Sequence, residues 1–229
     1  MIIGHGMIAN VFNSYRNKED IVIFASGVSD STHAGPSAFL REKELLINTL
    51  KTNQNKLFVY FSTCSIYDPG LQDSAYVQHK KRIEEYIIAN HTPYLVFRLT
   101  NPVGKTNNNN TLVNFFIKNI LEKTEFEIWQ NATRNIIDID DMYLICNEII
   151  QQKLFINQTI NIANLKNYPV PFIVETIEKH LGVKGNYTIS DQGNGPVIDS
   201  SLVQPLFQKF NITFDEHYLS EILQKYFPQ

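Results

Sequence analysis

Cysteine is almost missing from this chain of 229 residues: Cys64 and Cys146 are the only two. Two such residues make no disulfide framework and have no metal-ligand spacing. That excludes a stapled secreted scaffold and points to a reducing compartment. The six histidines are scattered without a paired spacing, so no metal is expected. Charge of one sign is not in excess either. The formal net charge is -3, which leaves no electrostatic footprint for nucleic acid or an anionic membrane. No apolar run approaches the roughly 18 residues of a membrane span. Met1-Ile2-Ile3-Gly4 has no basic region ahead of an apolar core. No signal peptide is therefore expected, and the expected location is the cytoplasm. No internal repeat is present. The one low-complexity patch, Thr106 to Asn110, reads as an exposed loop.

What is present is an ordinary globular composition, 43% hydrophobic and 19% charged. The length suits one large domain, or a domain with a smaller lobe. Short apolar runs alternate with helical periodicity. Ile21 to Ala25, Leu57 to Phe61 and Tyr94 to Leu99 read as buried strands. Helices are expected over Met7 to Tyr15, Pro36 to Lys51 and from Tyr76 to about Asn90. This alternation argues an α/β fold with a parallel sheet and helices on both faces. After Gly104 the pattern loosens. Leu112 to Glu122, a stretch through Ile150, Pro171 to Leu181 and Tyr218 to Tyr226 read as helices. Phe126 to Trp129 and Thr159 to Ala163 read as strands.

Three stretches carry chemistry. Gly4-His5-Gly6-Met7-Ile8-Ala9 is a GxGxxA turn opening a helix. Gly4 allows a tight turn, Gly6 lets a phosphate approach the backbone, and small Ala9 lets the helix pack on the sheet. Ser62-Thr63-Cys64-Ser65-Ile66-Tyr67 follows the Leu57 strand. It would present Thr63 at the strand's carboxyl end, where open α/β sheets carry ligands. Tyr76 and Lys80 stand at i and i+4, one helical turn apart on one face. A nearby ammonium stabilises a phenolate, so such a tyrosine can exchange a proton with a carbinol oxygen. On its own the spacing also suits a surface helix with a chance Tyr and Lys.

Taken together and in order, these residues resemble the extended short-chain dehydrogenase/reductases, the NAD-dependent epimerase/dehydratase family that modifies nucleotide sugars. Gly4 to Ala9 resembles its glycine fingerprint. Val22-Ile23-Phe24-Ala25-Ser26-Gly27 resembles its strand along the cofactor. Thr63, Tyr76 and Lys80 resemble the catalytic hydroxyl and the YxxxK pair. Arg98 through Gly104 is similar to the family's Asn-Pro-Val-Gly segment, and Arg134 to Asp141 to its RDFVHVDD segment.

The resemblance implies NAD or NADP held by Gly4, His5, Gly6, Met7, Ile8, Ala25, Ser26, Gly27 and Lys80. It implies Thr63, Tyr76 and Lys80 as catalytic residues, and Cys64, Ser65, Asn101 and Arg134 as contacts to a nucleotide-sugar. It implies a reduced Rossmann-type core over 1–104 and 133–154 and a small substrate lobe over 105–132 and 155–229. A role in surface polysaccharide synthesis and a homodimer built on the helix after Tyr76 come by the same analogy.

Three departures narrow this. The glycine turn is one residue shorter than the usual GxxGxxG. The second family strand and its following unit are missing, so the acidic residue that holds the adenosine ribose is absent. Asp30 could be offered in its place, past the end of the next strand. The 4,6-dehydratases carry two acids after the catalytic threonine, where this chain has Cys64 and Ser65. Cys64 is out of register with the cysteine of the 3,5-epimerases and reads as a small buried residue. What remains is a 4-ketosugar reductase or a C4 epimerase, with a non-catalytic binding module as the alternative.

Overall fold

The computed structural model describes residues 1–28 and 35–228. Asp30 lies outside the described residues, so its candidacy as a ribose ligand is not taken further. The first half of the chain builds a sheet from β1 (Ile2–Ile3), β2 (Ile21–Phe24), β3 (Leu57–Thr63) and β4 (Tyr94–Leu99). Between them run α1 (Met7–Val11), α2 (Pro36–Thr52) and α3 (Ala75–Asn90). The second half adds β5 (Asn101–Val103), α4 (Leu112–Glu122), β6 (Glu125–Trp129), β7 (Thr133–Arg134), β8 (Ile136–Asp138) and α5 (Ile139–Gln151). It closes with β9 (Gln158–Ile162), β10 (Tyr168–Pro169), α6 (Val170–Leu181), β11 (Asn186–Ser190), α7 (Gln204–Lys209) and α8 (Tyr218–Tyr226).

The main sheet has five strands in the order β1-β2-β3-β4-β9, and every pair is parallel. The expected reduction is therefore real, and it falls at one edge. β2 pairs with β1 on one side and β3 on the other, so it is not a second strand lying beyond β1. β2 and most of β3 and β4 are apolar because both faces of the sheet are covered there. Side chains alternate between two cores. Val22, Phe24, Phe58, Tyr60 and Val96 meet Leu46 and Leu50 of α2 and Ile83 and Ile87 of α3. Ile23, Val59, Phe61, Leu95 and Phe97 face Phe12, Tyr15 and the Met142, Ile145 and Ile149 stripe of α5. The second core continues without a break into α6 and α8 through Ile173, Ile177, Leu219 and Leu223. Each such side chain contributes about 1.5–3 kcal/mol by leaving water.

Two local differences from the sequence reading have simple causes. The first helix stops at Val11 and continues as a 3-10 turn over Asn13–Tyr15. Residues three apart eclipse in that geometry, which sends both Phe12 and Tyr15 into the core, 0% and 1% exposed. Beside β6 lies a strand absent from the sequence reading, β11, joined to it in parallel. The C-terminus of α6 is closed by Gly182 at φ 65°, a left-handed position that suits glycine.

Candidate active site

The cleft opens at the carboxyl ends of β2, β3 and β4, with a volume of about 340 Å³. This is where a parallel sheet leaves room between its crossover connections. The glycine turn forms one wall. Gly4 has φ +122°, and a Cβ there would sit 2.4 Å from the Ala25 carbonyl oxygen. Only glycine fits so close to the end of β2. A Cβ at Gly6 would meet nothing within 4 Å, so that side of the turn stays open for a ligand. Gly6, Met7, Ile8, Ala25 and Gly27 line the cleft.

The opposite wall follows from β3 and α3. β3 ends at Thr63, and a 3-10 turn over Cys64–Tyr67 follows. The Thr63 hydroxyl accepts the Ser65 backbone N–H at 3.0 Å and lies 2.9 Å from the Ser65 hydroxyl. Two hydroxyls thus stand together at the cleft. Arg98 braces this turn. Its guanidinium forks onto Glu84, Nε at 3.0 Å and Nη2 at 2.5 Å, and Nη1 donates to the Tyr67 hydroxyl at 2.8 Å. Ser74 caps α3 by accepting the Val77 N–H at 3.2 Å, which puts Tyr76 in the first turn and Lys80 one turn later. Thr63, Ser65, Tyr76, Lys80 and Asn101 all line the cleft. The Lys80 ammonium lies 5.9 Å from the Tyr76 ring centre.

Lys80 is not free. It is 2% exposed, and its Nζ donates to Glu42 Oε1 and to the Tyr60 hydroxyl, each at 3.0 Å. Glu42, in the middle of α2, is fully buried. Its other partners are the Tyr60 hydroxyl at 2.6 Å, the Val28 N–H at 2.7 Å and His79 Nε2 at 3.0 Å. Burial alone would raise this carboxyl's pKa. The Lys80 charge and the bonds from His79, Tyr60 and Val28 outweigh burial and hold it at about 2. Burial, and then the Glu42 charge, push the Tyr60 phenol well up. His79 is buried and stacks on Phe39 at 4.6 Å. Glu42 and Tyr60 escaped the sequence reading. A glutamate in a charged stretch of an amphipathic helix carries no local sign that it will be buried.

The other expected residues are held by their own contacts, and all but Asn101 lie off the cleft wall. Cys64 is 2% exposed, and its Sγ donates to the Arg98 carbonyl at 3.2 Å. Burial pushes its thiol up to about 12. Gly4, His5 and Ser26 flank the cleft without lining it. The Ser26 carbonyl and hydroxyl instead accept from Arg41, both at 3.3 Å. Asn101 is tied by its Nδ2 to the Asn135 carbonyl at 2.7 Å. The Arg134 guanidinium turns back to the Thr133 carbonyl at 2.8 Å and stands 4.0 Å from Asp68. On the far side, the Thr106 and Asn108 loop and Thr111 complete the cleft. Among the described residues, no cluster of metal-ligating side chains forms and no helix is long and apolar enough to cross a membrane.

Comparison with known proteins places this geometry. No curated protein matches the chain. Solved structures share its fold at low identity. UDP-glucuronic acid 4-epimerase from Bacillus cereus, in complex with NAD, superposes with a TM-score of 0.71 at 20% identity, over 96% of this chain and 77% of that one. dTDP-glucose 4,6-dehydratase from Bacillus anthracis, in complex with NAD, gives 0.69 at 15%, over 95% and 76%. RMD from Pseudomonas aeruginosa, complexed with NADPH, gives 0.66 at 14%, over 90% and 81%. The family model described as the NAD dependent epimerase/dehydratase family matches residues 8–163, starting just past the two glycines. With well over half its length matched, the chain belongs to the NAD-dependent epimerase/dehydratase family.

Proposed function

We propose that the protein is an NAD- or NADP-dependent enzyme acting at one carbon of a nucleotide-linked sugar, either a 4-ketosugar reductase or a C4 epimerase. The observation that supports this is the meeting of Thr63, Tyr76 and Lys80 in one cleft with the open backbone at Gly6. These residues suit the pyrophosphate and nicotinamide half of a dinucleotide. When bound, a nicotinamide supplies or accepts the hydride. Tyr76 gives or takes the proton at the sugar oxygen. Thr63, with Ser65 beside it, hydrogen-bonds the same oxygen. Lys80 donates to the cofactor ribose with the N–H that Glu42 and Tyr60 leave unused. Asn101 serves the sugar nucleotide, and Arg134 the substrate phosphate, exchanging the Thr133 carbonyl for phosphate oxygens. Residues 1–104 and 133–154 form the cofactor side, and 105–132 and 155–229 the sugar side. Cys64 and Ser65 stand where a 4,6-dehydratase needs acids, which argues against loss of water. The pathway we favour, by family analogy, is surface polysaccharide synthesis in the cytoplasm.

A second reading has an observation of its own. Among the described residues the sheet stops at β1, and none of their strands lies beyond it to carry an acidic ligand for the adenosine ribose. That favours a binding module that kept the fold and lost turnover. Fluorescence titration with NADH and NADPH, followed by nicotinamide absorbance against a panel of 4-ketosugar nucleotides, separates the two. Binding with turnover is the expected result. Binding without turnover on any sugar supports the module. Failure to bind either cofactor overturns the enzyme.

A further inference from the structure

Glu42 lies outside every family motif read from the sequence, yet it organises the floor of the cleft. Its carboxylate makes four hydrogen bonds, to groups on three separate segments. Val28 lies just past β2, Tyr60 is on β3, and His79 and Lys80 are on α3. A Cβ added at Gly27 would sit 2.6 Å from Lys80 Nζ and 3.0 Å from Glu42 Oε1. The ammonium is therefore wedged between the Gly27 backbone, Glu42 and Tyr60. The charged and titratable groups around it are Glu42, Tyr60, His79, Tyr76 and Glu84. Glu84 is already matched to Arg98. Glu42 is thus the one carboxylate bonded to Lys80 among the described residues. A buried lysine without such a partner tends to give up its proton.

We infer that Glu42 is a positioning residue: its buried carboxylate clamps the Lys80 ammonium and aims its remaining N–H at the cofactor ribose. The inference rests on Lys80 serving the cofactor, as proposed above. Two of the three ammonium N–H groups are spent on Glu42 and Tyr60, so the direction of the third is fixed by the clamp. The Lys80 role therefore depends on α2 as well as on the helix that carries the YxxxK pair.

The test begins without cofactor. In the unliganded protein at neutral pH, the Lys80 ammonium should give a ¹⁵Nζ–¹H cross-peak protected from solvent exchange. In Glu42→Gln that peak should vanish between pH 7 and pH 9, and its persistence at pH 9 overturns the inference. With cofactor, the dissociation constant for NADH or NADPH should rise tenfold or more between pH 7 and pH 9 in Glu42→Gln, against little change in wild type. A purely structural role weakens binding equally at both pH values, and that result also overturns the inference. Should Glu42→Gln fail to fold, the double variant Glu42→Gln/Lys80→Met decides. If the carboxylate serves the ammonium, the double variant folds and melts higher than the single one. If it melts no higher, the carboxylate serves the scaffold and the inference falls. Wild type that shows the protected peak but binds neither cofactor refutes the proposed function and leaves the clamp standing.

Discussion

Lowering the pH should dissolve the Glu42 network, and the loss can be isolated from that of other carboxylates. The Glu42 carboxyl is held at about 2 in the fold against 4.5 unperturbed. A depressed carboxylate pKa contributes stability that is full above the unfolded value and fades as pH falls towards the folded one. The difference corresponds to about 3 kcal/mol at pH 7. Solvent does not screen this, because the side chain is fully buried. By the same linkage about 2 kcal/mol of it is gone at pH 3. Glu42→Gln cannot show that loss, since an amide does not titrate. The assay is urea unfolding of both proteins by far-ultraviolet circular dichroism at pH 7, 5, 4 and 3. Wild type should exceed the variant by about 3 kcal/mol at pH 7. The gap should hold down to about pH 5 and then shrink to about 1 kcal/mol at pH 3. A gap that stays constant to pH 3 would show that Glu42 is not an ionised partner of Lys80, and the reasoning would fail. A gap that widens in acid would reverse its sign.

Three further outcomes follow from the cleft. Tyr76→Phe removes one oxygen at a half-buried position and should lower the catalytic rate by about 10²–10⁴-fold with cofactor affinity nearly unchanged; an unchanged rate removes Tyr76 from the mechanism. Cys64 and Cys146 are both buried with raised thiol pKa values, so a thiol reagent at pH 8 should label neither in the native protein and both in urea; rapid native labelling would contradict the burial. Gly4→Ala forces a Cβ against the Ala25 carbonyl oxygen at a positive φ and should cost about 1–3 kcal/mol in urea unfolding, whereas Gly6→Ala should cost well under that; equal costs would undo the distinction between the two glycines.

How much of this could be read from the sequence depended on whether the signal was local. α4 and α8 fall on the expected residues, Leu112–Glu122 and Tyr218–Tyr226, because each carries a repeating apolar stripe. β4 matches Tyr94–Leu99 because an apolar run, broken here only by Arg98, is what a strand buried on both faces requires. β11 has no such mark. Its residues are exposed or half-buried without a regular alternation, and its pairing with β6 is what makes it a strand. The cleft divides the same way. Gly4, Thr63, Tyr76, Lys80 and Asn101 could be named from spacing and likeness. The capture of Lys80 by Glu42 is a contact between segments far apart in the chain. Glu42 lies 38 residues from Lys80, and no periodicity links them.

The place where the sheet is shortened explains why the rest could stay intact. A central strand shares hydrogen bonds with two neighbours, so its removal would break two ladders and uncouple the helices packed across it. The reduction here lies beyond β1, at the edge. β1 has only two residues and pairs with Ile23 and Phe24 alone. The unpaired backbone left exposed is correspondingly short, which limits its use as a template for another strand. From β1 inward every ladder is complete, through β9. The strand ends that carry Thr63 and Asn101, and the face that seats α2 and α3 under Lys80, all lie on this intact side. The chain thus keeps the sheet under Thr63, Lys80 and Asn101 and, among the described residues, ends it beside the glycine turn.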